Sequence, residues 1–291
     1  MEHVFLVGVA GAVPHYTDFE RHVRLGDVVM ATPPIGQGQQ FIYQFCQSVK
    51  EMPSGEVQFE TKSWCPVDLG LQDIQQSLVH KFDSKCGYEG YDLPWLAHYK
   101  EGLAVLCDHE PEDNDTDGLG FVDDGWLRPS SDSDKLYMSM GGGDVIEVGH
   151  PTPRDGQFDP RYTYSFYFLC TQSLNLDTRS DKVRINEDYI SFFFCFRHKG
   201  QPMLHVGPIA SGKSIALDDQ LRQEYASRNG ILAFDSDLET VVESIYGNRK
   251  DQYTLIRGIA DYRDGTRRKE WQQYAALMAA SVLKAIVTEM S

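Results

Sequence analysis

Apolar residues recur along the chain with two periods, and each period predicts a different kind of element. Residues 3–31 predict a strand, a glycine-rich turn between Gly8 and Gly11, a loop, and a second strand over about 25–31. The segments "QFIYQFC" and "EVQFETKSW" add two strands because their apolar positions alternate. Residues 71–82 predict a helix.

The last ninety residues alternate strand and helix. "PMLHVGPIA", "GILAF" and "QYTLIRGIA" predict strands. A helix follows the first strand, with Leu217, Leu221 and Tyr225 one turn apart, and "LETVVESIYG" predicts another. The final helix spans about 269–288 and carries one apolar face, formed by Trp271, Tyr274, Met278, Val282 and Ile286. This alternation predicts a three-layer α/β/α fold around a central mixed sheet.

Residues 86–184 differ from the rest in being rich in Gly, Pro and Asp. They predict a long irregular insertion, or a set of elaborated loops, within one domain spanning 1–291. Two aromatic segments near its far end, "YTYSFYFLC" and "YISFFFCF", are typical of strands.

Composition and charge exclude several classes of partner. The formal charge is −16, and residues 108–134 hold ten Asp or Glu against one Arg. Nucleic acids and anionic membranes favour clustered Lys and Arg, so neither is expected as a partner. No apolar run approaches the roughly 18 residues of a membrane helix.

Within the acidic stretch, "DNDTDG" imitates a calcium-binding loop from Asp113 to Asp124. Gly120 stands where a small apolar residue is usual, Asp124 replaces the bidentate Glu, and Pro111 and Pro129 oppose flanking helices. These departures favour a solvated acidic loop, and no metal site is expected.

Six cysteines lie far apart, several of them inside apolar runs, and none forms a C-x-x-C pair. This usage indicates free, buried thiols and therefore a reduced protein, which we place in the cytoplasm. "VFLVGVAGAV" is apolar, but Glu2 and His3 occupy the place of a positively charged n-region, so no signal peptide is expected.

Three features of the sequence indicate candidate functional groups: a P-loop pattern, Asp261 and Glu239. "GPIASGKS" at 207–214 matches the phosphate-binding P-loop pattern, which requires a strand, a loop and a helix around it. Asp261 ends an apolar strand, where α/β sheets place ligand crevices, and its surroundings predict a raised pKa that suits a general acid. Glu239 follows Leu238 at a predicted helix start. A helix cap or first-turn residue is the structural alternative for both acids.

Four fragments in order resemble the nucleoside phosphorylase and nucleosidase superfamily. "VGVAGAVPHYTDFERHVRLGDVVMA" is similar to its glycine-rich turn and "GDVV" strand, and "HVGPIASGK" to its "IASG" strand end. "FDSDLE" occupies the place of its ribose motif, and "IRGIADYRDGTRRKEWQQYAALMAASVL" that of its C-terminal ending. The resemblance implies a phosphorylase/hydrolase-like fold, so the P-loop match is interpreted as accidental.

The resemblance also implies roles for named residues. Asp261 would protonate the leaving purine, Glu239 would bind the ribose hydroxyls, and Leu238 would pack on the sugar. Ile215 would lie near the base, and Ala10 and Gly11 would bring backbone close to the ligand. The implied reaction is cleavage of a nucleoside N-glycosidic bond by water or by phosphate as co-substrate, without a cofactor, in a homo-oligomer.

The chain also departs from the family. Leu6 and Val9 stand where bacterial-type phosphorylases carry phosphate-binding Arg and Ser, and Ala260 replaces a common serine. The family's strands before the glycine-rich turn are missing, so we expect an N-terminally incomplete domain. Two alternatives stay open: a catalytically weakened nucleoside-binding or regulatory domain, and, more remotely, a P-loop NTPase.

Overall fold

The computed structural model describes residues 3–34, 40–85, 93–107, 124–141, 144–152, 202–216, 218–262 and 268–291. Within these ranges the strands are β1 (His3–Ala12), β2 (Val28–Met30), β3 (Tyr43–Glu51), β4 (Val57–Trp64), β5 (Leu136–Gly141), β6 (Asp144–Val148), β7 (Leu204–Val206), β8 (Ile209–Ser211), β9 (Ala233–Phe234) and β10 (Gln252–Asp261). The helices are α1 (Gly70–Lys85), α2 (Pro94–Cys107), α3 (Lys213–Ala216), α4 (Asp219–Asn229), α5 (Glu239–Gly247) and α6 (Lys269–Glu289).

Eight of these strands form one mixed sheet in the order β4-β3-β8-β9-β1-β10-β2-β7, and β5 pairs with β6 in a separate hairpin. The sheet is strongly curled. In a flat sheet, β8 and β7 would lie roughly 24 Å apart, because neighbouring strands are about 4.8 Å apart. The three peptide units from Val206 to Ile209 reach at most about 11 Å, so the sheet must bend round to bring the two strands together.

Apolar side chains fill both faces of the sheet. Ala12, Ile209 and Ala233 belong to the larger hydrophobic cluster, whereas their sequence neighbours Val13, Ala210 and Phe234 belong to a second cluster. Since successive side chains of a strand point to opposite faces, the two clusters lie on opposite sides of the sheet at β1, β8 and β9. Helix α6 packs in the larger cluster and α4 in the second, which gives the predicted three layers.

The predicted helices near the C-terminus are confirmed. All five residues of the apolar face of α6 are buried, so this face packs against β10 and β1. Asp218 caps the N-terminus of helix α4, because its carboxylate accepts a hydrogen bond from the Leu221 amide at 2.9 Å, and Gly230 caps the C-terminus with φ 67°.

Two predicted connections are wrong. The segment from Gly8 to Gly11 is no turn, because β1 continues to Ala12. "PMLHVGPIA" forms two strands, β7 and β8, because Pro208 has no amide hydrogen to continue a ladder. The Gly207 amide instead donates to the Met30 carbonyl, and the Leu232 amide donates to the Pro208 carbonyl.

The stretch predicted to be irregular, 86–184, contains regular elements in its described part. Helix α2 packs on α6, and Gly102 allows this close approach because a Cβ there would lie 2.8 Å from Leu277. The β5–β6 hairpin also falls in this stretch. Both aromatic segments and residues 113–123 of the calcium-like sequence lie outside the described residues. No helix in the described ranges is long and apolar enough to cross a membrane.

Gly258 is the tightest contact between the sheet and α6. A Cβ at this position would lie 1.9 Å from the carbonyl oxygen of Ala275, which is helix backbone and cannot move aside alone. We expect Gly258→Ala to lower the free energy of unfolding by about 3 kcal/mol or more, the upper range for overpacking. Urea denaturation measures this, with Gly149→Ala as the control, because nothing lies within 4 Å of a Cβ there. Equal midpoints for the two variants would contradict the close packing.

Candidate functional site

The carboxyl ends of β1 and β10 meet, and they bring two predicted site residues together. Gly11 pairs with Asp261 in the parallel ladder and with Phe234 of β9 on its other side. Gly11 and Asp261 therefore lie side by side at these strand ends. Ala10 is 5% exposed, Gly11 is buried and Asp261 is half-buried at the strand end.

A β-bulge sets the direction of Asp261. Ala10 pairs with Ile259 and Gly11 with Asp261, so Ala260 is an extra residue in β10. Ile259 and Tyr262 on either side pack in the larger hydrophobic cluster, whereas Asp261 lies outside that cluster.

A buried ion pair lies next to the glycine-rich part of β1. Arg257 of β10 donates through Nε to the carboxylate of Asp235, and both side chains are about 5% exposed. Its Nη1 donates to the Leu6 carbonyl at 2.6 Å. A Cβ at Gly8 would lie 3.5 Å from this nitrogen, an ordinary van der Waals contact.

The segment between β9 and α5 is fixed by Tyr43. The Leu238 amide donates to the Tyr43 hydroxyl at 3.1 Å, and that hydroxyl lies 2.5 Å from the Ser211 Oγ. Burial raises the pKa of Tyr43 to about 12, so the hydroxyl stays neutral. Leu238 is partly buried against the larger cluster.

Glu239 has a partner on the edge strand β4. Its carboxylate lies 2.5 Å from the Lys62 Nζ, which also contacts Glu243 at 3.0 Å. Hydrogen bonds to these two acids raise the pKa of Lys62. Glu239 is 19% exposed in its side chain, whereas Asp237, two residues earlier, is exposed and accepts a hydrogen bond from the Glu239 amide.

Ile215 is fully buried in the second hydrophobic cluster, on the side of the sheet covered by α4. The structure therefore brings together Ala10, Gly11 and Asp261. Leu238 and Glu239 follow β9, the next strand along, and Ile215 packs as a core residue.

The P-loop pattern does not form a phosphate-binding loop. Residues Ile209–Ser211, in the middle of the pattern, are strand β8, paired with β3 on one side and β9 on the other. The hydrogen bonds of β8 to β3 and β9 occupy backbone N–H groups that a phosphate would otherwise accept hydrogen bonds from. Helix α3 has four residues, and Gly212 is required by packing, since a Cβ would lie 2.7 Å from the Cys46 carbonyl oxygen.

A small cavity of about 120 Å³ opens beside the two strand ends. Pro14 follows β1, and Tyr262 follows Asp261 directly. The remaining lining includes two tyrosine rings and three polar side chains: Tyr16, Tyr137, Asp219, Arg222 and Gln223. Burial, and then the Asp134 carboxylate, raise the pKa of Tyr262 well above its ordinary value, so this hydroxyl is a hydrogen-bond donor.

The ion pair of Asp235 and Arg257 and the environment of Tyr262 were not predicted from the sequence. An arginine in the middle of "LIRGIA" was a usable signal, because a charge in a buried strand requires a partner. Among the described residues no group of three or more His, Cys, Asp or Glu is arranged to hold a metal ion.

Comparison with known proteins gives weak likenesses. No protein-family model matches the chain. A nucleotide-binding leucine-rich repeat (NLR)-like protein of Hyaloscypha variabilis is 30% identical over 95 residues, which is 33% of this chain and 9% of that protein. The chain thus spans less than a tenth of the length of this curated relative.

Among solved structures, the matches are to nucleosidases of the superfamily that the sequence resembles. Methylthioadenosine/S-adenosylhomocysteine nucleosidase of Helicobacter pylori matches with TM-score 0.34 and 15% identity, and that of Neisseria meningitidis with 0.39 and 10%. Futalosine hydrolase of H. pylori matches with 0.34 and 14%. Each match covers 99% of this chain and 69% of the other.

The ion pair of Asp235 and Arg257 should be structural. Asp235→Asn leaves a buried guanidinium without its carboxylate, and we expect a loss of about 3 to 5 kcal/mol in the free energy of unfolding. Asp237→Asn is the matched control, because this exposed residue keeps its capping role as Asn and should change stability by about 0.5 kcal/mol or less. Similar denaturation midpoints for both variants would contradict the assignment.

Lys213 should be dispensable for nucleotide binding, because it is exposed and follows a paired strand. Calorimetry with ATP and magnesium should give the same heats for the wild type and Lys213→Ala. Tight, magnesium-dependent binding that this substitution abolishes would show that the segment is a phosphate site after all.

Proposed function

We propose that the chain binds a nucleoside at the carboxyl ends of β1 and β10 and cleaves its N-glycosidic bond. The observation that carries this proposal is the pairing of Gly11 with Asp261. It sets a half-buried carboxyl group beside a stretch of backbone without bulky side chains, and such backbone allows close approach of a ligand. The sequence motifs of the nucleoside phosphorylase and nucleosidase superfamily fall on the same strands.

The chemistry requires a proton donor for the departing base. Cleavage passes through an oxocarbenium-like sugar, and protonation of the base makes it a better leaving group. Asp261 is our candidate for this general acid. The cavity beside it offers the rings of Tyr16 and Tyr137, on which a flat base can stack.

The sugar requires a carboxylate that accepts hydrogen bonds from its hydroxyls. Glu239 is the candidate from the sequence, and a hydroxyl there would share the carboxylate with Lys62. Asp237 is a second candidate on the same segment, because it is exposed and its carboxylate accepts a hydrogen bond from the Glu239 backbone amide. The attacking group is water or phosphate, and no cofactor or metal is needed in this scheme.

A nucleoside-binding or regulatory module is the second candidate function. The apolar Leu6 and Val9 in place of phosphate ligands favour it, as does the engagement of Glu239 by Lys62. The similarity to a small part of a much longer NLR-like protein also suits a module within a larger chain.

A panel of nucleosides, incubated with and without phosphate and analysed for free base, tests the first function against the second. Release of base only with phosphate identifies a phosphorylase, and release without it a nucleosidase. Binding of a nucleoside by calorimetry without any release supports the module.

Asp261→Asn should separate chemistry from binding. Asn keeps the shape but cannot deliver a proton, so we expect kcat to fall by about 100- to 10,000-fold while nucleoside affinity changes little. Asp251→Asn is the matched control, an exposed acid beside the other end of the same strand. Near-normal turnover of Asp261→Asn would remove this residue from the mechanism.

The two hydroxyl-binding candidates can be compared directly. Glu239→Gln or Asp237→Asn, whichever acid holds the sugar, should weaken nucleoside binding as well as turnover, because a charged acceptor becomes neutral. Calorimetry on both variants shows which residue is involved. Unchanged affinity in both would exclude this segment as the sugar site.

A further inference from the structure

Two buried histidines form a hydrogen-bonded relay next to Tyr262. The His15 amide donates to His22 Nδ1 at 3.3 Å. His22 Nε2 lies 2.9 Å from His150 Nδ1, and His150 Nε2 lies 2.8 Å from the Asp134 carbonyl oxygen. His22 is fully buried, and the His150 side chain is 9% exposed.

The two ends of the relay determine where its protons lie. The amide at one end can only donate and the carbonyl at the other can only accept. His22 must therefore carry its hydrogen on Nε2 and donate to His150, which must carry its own on Nε2. Both rings are neutral in this arrangement. If either ring gains a second proton, two N–H groups face each other at one of the three hydrogen bonds of the relay, and that hydrogen bond is lost.

The relay holds the segment that follows Asp261. Tyr262 stacks on His22 with ring centroids 6.0 Å apart, and its hydroxyl donates to Asp134 Oδ1 at 2.6 Å. The same hydroxyl accepts a hydrogen bond from the Leu25 amide at 3.3 Å. His150 follows the β5–β6 hairpin and Asp134 precedes it, so the relay attaches this hairpin to the end of β10.

Charged groups around the relay are already paired. Asp134 accepts from Arg24 Nε at 2.8 Å, and the Arg24 amide donates to Asp27. Arg268 lies over the Tyr262 ring, 5.4 Å from its centroid. A protonated His150 would be 3.5 Å from Asp134 Oδ1, but that oxygen already accepts from Tyr262, and two guanidinium groups lie close to the same residues.

We propose that the relay of His22 and His150 is a pH-sensitive clamp that positions Asp261 through Tyr262. With both rings neutral, the hairpin is attached and Tyr262 is fixed. With one ring protonated, a link opens and the strand end loses its support. The clamp itself does not depend on what the protein binds, whereas its effect on Asp261 rests on the proposed function.

The sign of the pH effect follows from proton uptake. Histidines of the unfolded chain gain protons as the pH falls through about 6.5, and the folded relay resists this gain. The folded state therefore binds fewer protons, and stability decreases as the pH falls below that value. For each imidazole that stays neutral in the folded protein, the folding equilibrium constant should fall about tenfold for every unit by which the pH decreases below about 6.5.

The first experiment needs no activity. Long-range ¹H–¹⁵N spectra of the wild type should show the neutral Nε2–H form for His22 and His150 at pH 7.5, and this form should persist below about pH 6.5, the ordinary pKa of histidine. Protonation of either ring near that pH in the folded protein, or the Nδ1–H form of either ring, would overturn the relay.

Denaturation between pH 7.5 and 5.5 supplies a second test. His150→Gln should make the folding constant less dependent on pH, by a factor of about ten per pH unit, because the variant lacks one histidine that stays neutral in the folded protein. His80→Gln, which removes an exposed histidine, should leave the dependence unchanged. A His150→Gln variant with the wild-type pH dependence would contradict the proposal.

The effect on Asp261 is tested with Tyr262→Phe, which keeps the ring and removes the hydroxyl. We expect kcat for nucleoside cleavage to fall about 10- to 100-fold with KM little changed, since a small misplacement of a catalytic group costs that order. Wild-type turnover in this variant over the whole pH range would overturn the positioning. If the wild type cleaves no nucleoside but the spectra show the relay, the proposed function fails and the clamp stands.

Discussion

The parallel pairing of β1 with β10 is the interaction on which the rest of the structure depends. It joins nine residues of β1 to nine residues of β10, for example Leu6 and Leu255. Helix α6 packs on both strands, and apolar residues of all three elements belong to the larger hydrophobic cluster, so the pairing and this cluster form together. Its register also sets Gly11 against Asp261, so a slip of one residue would move the candidate acid and reverse its side chain.

Several buried polar side chains next to these strands have hydrogen-bond partners. Arg257 points from the middle of β10 to Asp235, and the buried hydroxyls of Tyr43 and Tyr262 each join chain segments far apart in sequence. Pairs of this kind contribute less to stability than apolar contacts of equal volume. Their effect is to fix direction: they hold the segments on either side of the candidate site in single positions.

Sequence periodicity predicted the layers, because α6 and β10 bury complete apolar faces that local pattern reveals. It failed where long-range packing decides. Gly8 and Gly11 predict a turn, but both residues lie in one continuous strand paired with β10, and this long-range ladder overrides the local preference. Pro208 splits one apolar run into two strands of a curled sheet. The proximity of Asp261 and Gly11 was predictable from motifs, whereas the partner of Glu239 on β4 was not, because no local signal links residues 62 and 239.

The distance in sequence between paired strands also bears on how the protein is made. Leu6 and Arg257, joined by a hydrogen bond, are 251 residues apart. At a synthesis rate of about 5 to 20 residues per second, β1 leaves the ribosome roughly 10 to 50 s before its partner exists. Throughout that interval "VFLVGVAGA" is an unpaired apolar segment with strand propensity, a form prone to association with other chains. Successful synthesis therefore depends on keeping β1 apart from other nascent chains until β10 has emerged.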